Sequence, residues 1–296
     1  MNLQGIFASI ATPFDHQGNL YPSKLEHNLA KWRATSIAGF LVGGPVGEGA
    51  LLGEAERREL WERVRAAVPR LSLEEPKPRT LLAFIDTPGV REAARQAAEA
   101  AAAGFDAVVA VAPHEDAFAR RSPDRAQLFF RALADQSPVP VIAADLPEVT
   151  GFTVPALGAA SAHPRIAAVL DGSGERDRAK ELIEAGCKVL CGSERAALAS
   201  LRAGASGTVL PVATAAPYGA IALWEAFRTR EEEAALDWQN RLETAAALIE
   251  REYGVAGWKA AMDINGYYGG PPRLPGAPVS PEARERIAQA FADLRG

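Results

Sequence analysis

Apolar and polar positions follow two distinct periods along this chain. Short continuous apolar runs, the pattern of strands buried on both faces, recur at residues 5–11, 39–43, 80–85, 107–112, 139–144, 166–170, 188–191 and 207–210. Between them lie Ala-, Glu- and Arg-rich stretches with apolar residues three and four apart, which is the helical period. These cover 23–33, 54–67, 90–103, 124–135, 154–160, 175–185, 194–203 and 215–229. Punctuation agrees with these limits. Ser122-Pro123 and Ser280-Pro281 each place a capping hydroxyl before a proline at the first helical position, and Gly104, Gly186 and Gly204 stand just past helices.

Eight strand-helix units in strict alternation imply parallel strands joined by helical crossovers. The predicted fold class is α/β, a closed (β/α)8 TIM barrel whose pocket lies at the C-terminal ends of the strands. An open doubly wound sheet is the alternative, but the first strand ends ATPF, with no GxGxxG dinucleotide loop after it. Three more helical stretches follow, at 231–251, 257–263 and 280–294. The expected organisation is a barrel over 1–229 and a C-terminal helical extension over 230–296, packed together as a single structural unit. The loop at 71–78, LSLEEPKP, is polar and proline-bearing and belongs on the surface.

Composition narrows the function. A net charge of −5 gives no footprint for nucleic acid or an anionic membrane. The N-terminus lacks the basic start and apolar core of a secretion signal, and no apolar run approaches the roughly 20 residues of a membrane span, so a cytoplasmic protein is expected. Cys187 and Cys191 lack the second pair of a zinc site and read as buried thiols. No cofactor motif is present, and no metal site is predicted.

Polar residues at the predicted strand ends are Thr12, Glu48, Asp86, His114, Glu115, Asp145, Asp171, Ser193 and Glu194. The pocket candidates among them are Thr12, Glu48, His114, Asp145, Asp171 and Ser193, together with Gly44 of the GGPVGEGALL loop (43–52). Two uses are open to Glu48, Asp145 and Asp171: acid-base or ligand-binding carboxylates, or caps that hold backbone N–H groups of loops. His114 is an acid-base candidate with a reference pKa near neutrality, or a plain loop residue. Cys191 reads as barrel packing. The balance is acidic, with no arginine expected at the mouth to offset it, which suits a neutral or cationic small molecule better than an acid.

The fragments GIFASIATPF, GG-x-x-GEGALL-x-EAER, GFDAVVAVAP, PVIAADLPEVTG, IAAVLDGSGE, VLCGSE, GASGTVLP, GWKAAM and PPRLP run in order from Gly5 to Pro275. Together they resemble the dihydrodipicolinate synthase / N-acetylneuraminate lyase family. The resemblance implies a barrel with a C-terminal helical extension, a homo-dimer or homo-tetramer, and aldolase or lyase chemistry through a Schiff base between lysine and a 2-oxo acid.

Set against that family's motifs, this chain departs at each reacting position. Leu170 stands at the imine-forming lysine, Ala144 at the proton-relaying tyrosine and Val149 at the acid-binding arginine. Pro45 and Val46 replace the two threonines, and Glu115 lies in the strand 4 motif that otherwise carries tyrosines. Residues that act as a unit lose their function as a unit. The expectation is a divergent member with Schiff-base chemistry lost and a small metabolite at the mouth, or a non-catalytic binding, regulatory or assembly protein on the same scaffold.

Overall fold

A computed structural model of the protein describes residues 1–69, 78–112, 123–146 and 152–294. His114, Glu115 and Val149, like Ser122 and residues 71–77 of the polar loop, lie outside the described residues. The strands are β1 (Gly5–Ile10), β2 (Gly39–Val42), β3 (Thr80–Asp86), β4 (Ala107–Val111), β5 (Val141–Asp145), β6 (Ile166–Asp171), β7 (Val189–Cys191) and β8 (Gly207–Leu210). They pair in parallel and in chain order, and β8 returns to β1 through Gly5↔Gly207 and Ala8↔Leu210. That pairing closes the barrel and excludes the open sheet.

The crossovers are α1 (Pro22–Arg33), α2 (Glu54–Ala67), α3 (Val90–Ala102), α4 (Pro123–Gln136), α5 (Val154–Ser161), α6 (Arg178–Glu184), α7 (Ala197–Ala203) and α8 (Pro217–Thr229). The extension is α9 (Glu232–Glu252), α10 (Gly254–Ile264) and α11 (Pro281–Ala290). Two expected helices start late for local reasons. The stretch from 175 turns first, because the Ser173 hydroxyl accepts the Glu175 N–H at 3.1 Å, and α6 begins only at Arg178. The stretch from 194 opens as a 3₁₀ turn, Glu194–Ala196, held by the Gln239 side chain of α9. That amide accepts the Leu198 N–H at 2.9 Å and donates to the Glu194 carbonyl at 2.7 Å. The Ser280 cap is present: its hydroxyl accepts the Ala283 N–H at 3.2 Å. Among the described residues no helix is long and apolar enough to cross a membrane.

Strand alternation divides the apolar residues into two cores. The lumen holds Phe7, Leu41, Leu82, Phe84, Val109, Val111, Ile142, Ala144, Ala168, Leu170, Leu190 and Val209. The residues between them face the helices and merge with the buried side of the extension, from Ala235 to Leu294. One irregularity decides what faces inward on β6. Val141 pairs with Ile166, but Ile142 pairs with Ala168, so Ala167 is an extra residue. The bulge turns Ile166 outward into the helix-facing core, while Ala168 and Leu170 point into the lumen.

Candidate active site

At the strand ends the inward face is set by the same alternation. Ser9 follows Phe7 on β1 and lies beside Gly44, where an added methyl group would stand 3.6 Å from its hydroxyl. Asp86 follows Phe84 on β3, pairs with lumen-facing Val111, and is exposed at the rim. Ala144 and Leu170 are paired neighbours on β5 and β6, and Val209 faces them from β8. Leu170 is only 4% exposed and packs against Gly192, where any β-carbon would meet its side chain at 3.1 Å. Among the described residues the mouth is therefore walled by alkyl groups, with the Ser9 hydroxyl and the Asp86 carboxylate along its inner edge.

Asp145 and Asp171, one residue further along each strand, point the other way. They pair across β5 and β6 on the side facing the helices, and both are buried. Between them sits Arg178, the first residue of α6. Its guanidinium donates to Asp145 Oδ2 and to the Phe152 carbonyl, the latter at 2.6 Å, and its Nε lies 3.6 Å from Asp171 Oδ1. The carboxylates also cap loops. Asp145 accepts the Phe152 N–H at 3.3 Å and Asp171 the Ser173 N–H at 3.0 Å. Burial raises the Asp171 pKa, with the Ser173 hydrogen bonds and Arg178 opposing the shift. The expectation that no arginine offsets this acid pair is thus corrected: Arg178 lies between the two carboxylates. It is missing from the sequence reading because it comes from a helix start seven residues past Asp171. The available signal was a cation in the first turn of a helix, where the dipole disfavours it unless an acid lies close.

Glu48 is likewise engaged below the mouth. It adopts a left-handed conformation (φ 53°), which the tight GGPVGEG loop imposes. Within that loop a β-carbon on Gly49 would overlap the Gly43 carbonyl at 1.8 Å, so only glycine fits. Glu48 Oε1 lies 2.6 Å from the Lys259 ammonium of α10, and its Oε2 accepts the Arg273 N–H at 2.8 Å. Lys259 is itself buried, donates to the Pro271 carbonyl at 2.9 Å and stands 4.4 Å from the centre of the Phe14 ring. Burial lowers its pKa while Glu48 opposes the shift. Its ammonium is engaged with Glu48, Pro271 and Phe14 rather than with the lumen, which is also where the expectation of an unpaired acidic mouth fails. Arg273 continues the network to Glu56, Gly18 and Leu51.

The other named positions divide similarly. Thr12 donates its hydroxyl to the Gly47 carbonyl at 2.6 Å, which pins the same loop. Val46 packs into the helix-facing core and Pro45 is exposed. Ser193 is half-buried with its hydroxyl over Gly174. Burial pushes the Cys191 thiol up to about 11, and it donates to the Ser193 carbonyl at 3.2 Å, so it acts as packing. Glu194, also buried, accepts the Val212 N–H at 2.6 Å through Oε1, while Oε2 has no hydrogen-bond partner among the described residues. Burial, followed by the charge of Glu250, pushes its pKa up to about 8. Among the described residues no three His, Cys, Asp or Glu side chains group as metal ligands.

Comparison with known proteins gives a consistent picture. The model of the dihydrodipicolinate synthetase family matches residues 2–293. A 4-hydroxy-tetrahydrodipicolinate synthase of an Exiguobacterium species is 27% identical over 97% of this chain and 96% of its own length. The enzyme of that name from Xanthomonas campestris is 29% identical over 99% and 96%. Among solved structures, a dihydrodipicolinate synthase from Bacillus anthracis superposes with a TM-score of 0.90 at 22% identity, each chain fully covered. The 4-hydroxy-tetrahydrodipicolinate synthase of Methylacidiphilum fumariolicum gives 0.88 at 24% identity, covering 98% of this chain and 95% of that one. The whole-chain match places this protein in the dihydrodipicolinate synthetase family.

Proposed function

We propose that this chain is a divergent member of its family in which Schiff-base aldol chemistry is lost and the barrel mouth holds a small metabolite instead. One observation carries the reading: Leu170 lies buried in the lumen beside Ala144, at the position that the family resemblance gives to the imine-forming lysine. Imine formation needs an amine lone pair to attack a carbonyl carbon, with water leaving. An alkyl side chain supplies none, and the one buried lysine among the described residues, Lys259, is bound to Glu48. The inner rim favours a neutral or cationic ligand, because Asp86 is exposed there and makes no ion pair among the described residues.

A second reading, a non-catalytic binding, regulatory or assembly role, draws support from the same geometry. Asp145, Asp171 and Glu48, for which acid-base work and loop capping were both open, are all engaged by Arg178 or Lys259. Incubation with pyruvate and borohydride followed by intact-mass measurement tests the shared premise. An unchanged mass is expected, and a stable pyruvyl adduct overturns both readings. A thermal-shift screen of neutral and cationic metabolites then separates the two: turnover of a hit supports the metabolite enzyme, and tight binding without turnover supports the other.

A further inference from the structure

Behind the lumen, the ends of β6, β7 and β8 align three polar side chains in one row. Asp171 pairs with Cys191, and Cys191 pairs with Thr208. Their neighbours Leu170, Leu190 and Val209 face the lumen, so by strand alternation the row faces the helices. There α7 packs on β7 and β8, and its Ser200 stands beside the Cys191 thiol. All four residues are buried.

Three oxygens of this group, Asp171 Oδ2, Ser200 Oγ and Thr208 Oγ1, have no hydrogen-bond partner among the described residues. Asp171 uses its other oxygen for the Ser173 N–H, and the Cys191 thiol donates to the Ser193 carbonyl. Buried polar atoms in folded proteins are nearly always paired, because an unpaired one forfeits its hydration. Here two hydroxyls lack an acceptor and one carboxylate oxygen lacks a donor. They do not meet directly. Asp171 and Thr208 are two strands apart, roughly twice the ~4.8 Å strand spacing, with only a small thiol between them.

The donors and acceptors select the occupant. A water molecule accepts from two hydroxyls and still donates to a carboxylate, and a buried water needs two to four polar partners. A cation would suit the three oxygens less well. The Arg178 Nε, 3.6 Å from Asp171 Oδ1, already places a positive charge at that end of the row. The thiol, whose pKa burial raises to about 11, stays protonated and is a poor ligand.

We propose that one ordered water is bound over Cys191, accepting from the Ser200 and Thr208 hydroxyls and donating to Asp171 Oδ2. It joins α7 to β6 and β8 and supplies the buried carboxylate with the donor that its second oxygen lacks. The site stands apart from the reading of the lumen, since Leu170, Ser9 and Asp86 take no part in it.

The test uses the full chain and reads the sign of two small substitutions. Thr208→Val keeps the branched shape that suits a strand and removes the hydroxyl; Ser200→Ala does the same on α7. Where a water is held, each loses a hydrogen bond and should lower the melting temperature by a few degrees. Together they should lower it by less than the sum, because the same water is lost only once. In a dry site each removes an unpaired hydroxyl, and the melting temperature rises. A crystal structure resolving ordered water should show density within hydrogen-bond distance of both hydroxyls. No density there, a melting temperature equal to or above the parent's in either variant, or strictly additive losses overturns the proposal.

Discussion

At the scale of single residues, the polar groups behind the strands are governed by pairing. Arg178 neutralises a buried acid pair, and leaving either carboxylate alone there would strand a charge. Among the described residues Glu194 has no such partner: burial and Glu250 hold it protonated to about pH 8. Because its folded pKa lies above the ordinary carboxylate value of 4.5, the folded state keeps a proton that the unfolded chain releases. Its contribution to stability is therefore complete below about pH 4.5 and falls away as the pH rises toward 8, at up to about 1.4 kcal/mol per pH unit. Glu194→Gln keeps an acceptor for the Val212 N–H without the titration. Thermal unfolding followed from pH 5 to 9 should show the variant flatter than the parent and more stable at the alkaline end. A parallel pair of profiles would show that Glu194 does not titrate in this window. None of this was legible beforehand, because Glu194 stood in the sequence as one more polar residue at a strand end.

At the scale of elements, the strands and helices were readable to within a few residues, because eight apolar runs separated by helical periods leave little freedom in a barrel. What was not readable depends on contacts between distant segments. The bulge at Ala167 adds a residue to β6, so Ile166 leaves the lumen although simple alternation from Leu170 puts it inside. The sequence pattern GWKAAM placed Lys259 on a helix but gave no hint that it meets Glu48, over two hundred positions earlier. A lysine surrounded by apolar residues was the one clue that its amine needed a carboxylate. That pair ties α10 to the loop after β2, and it yields a sharp expectation. Lys259→Met leaves the Glu48 charge buried and should cost roughly 3–5 kcal/mol in urea unfolding. Glu48→Gln combined with Lys259→Met removes the orphaned charge and keeps an acceptor for the Arg273 N–H, so the double variant should recover much of that loss. Equal losses in both would mean that the ion pair is not what holds these elements together.

At the scale of the whole molecule, the question is whether residues 230–296 are an appendage or part of the barrel. The helix-facing core supports the second reading: Leu242, Ala246, Ile249, Trp258, Ile287 and Phe291 belong to the same contiguous buried cluster as Trp32, Phe40 and Leu210. Side chains stitch the segment after α10 to the barrel as well. Asn28 donates to the Tyr268 carbonyl and accepts the Tyr268 N–H, both at 2.8 Å, and Trp32 stacks on Tyr267. Apolar surface is stabilised by about 25 cal/mol per Å2 removed from water, so cutting the chain after Thr229 exposes one whole side of a shared core. The full protein should accordingly unfold in a single transition, with tryptophan fluorescence and far-ultraviolet circular dichroism superimposed. Residues 1–229 alone should keep helical signal yet lose fixed near-ultraviolet dichroism and bind a hydrophobic dye, as a collapsed chain without its packing does. A truncated barrel with native near-ultraviolet dichroism and a cooperative melt would instead make the extension a separable unit. The Glu48–Lys259 pair would then be a contact between two domains, and the loop it holds would be free to change shape when the second one moves.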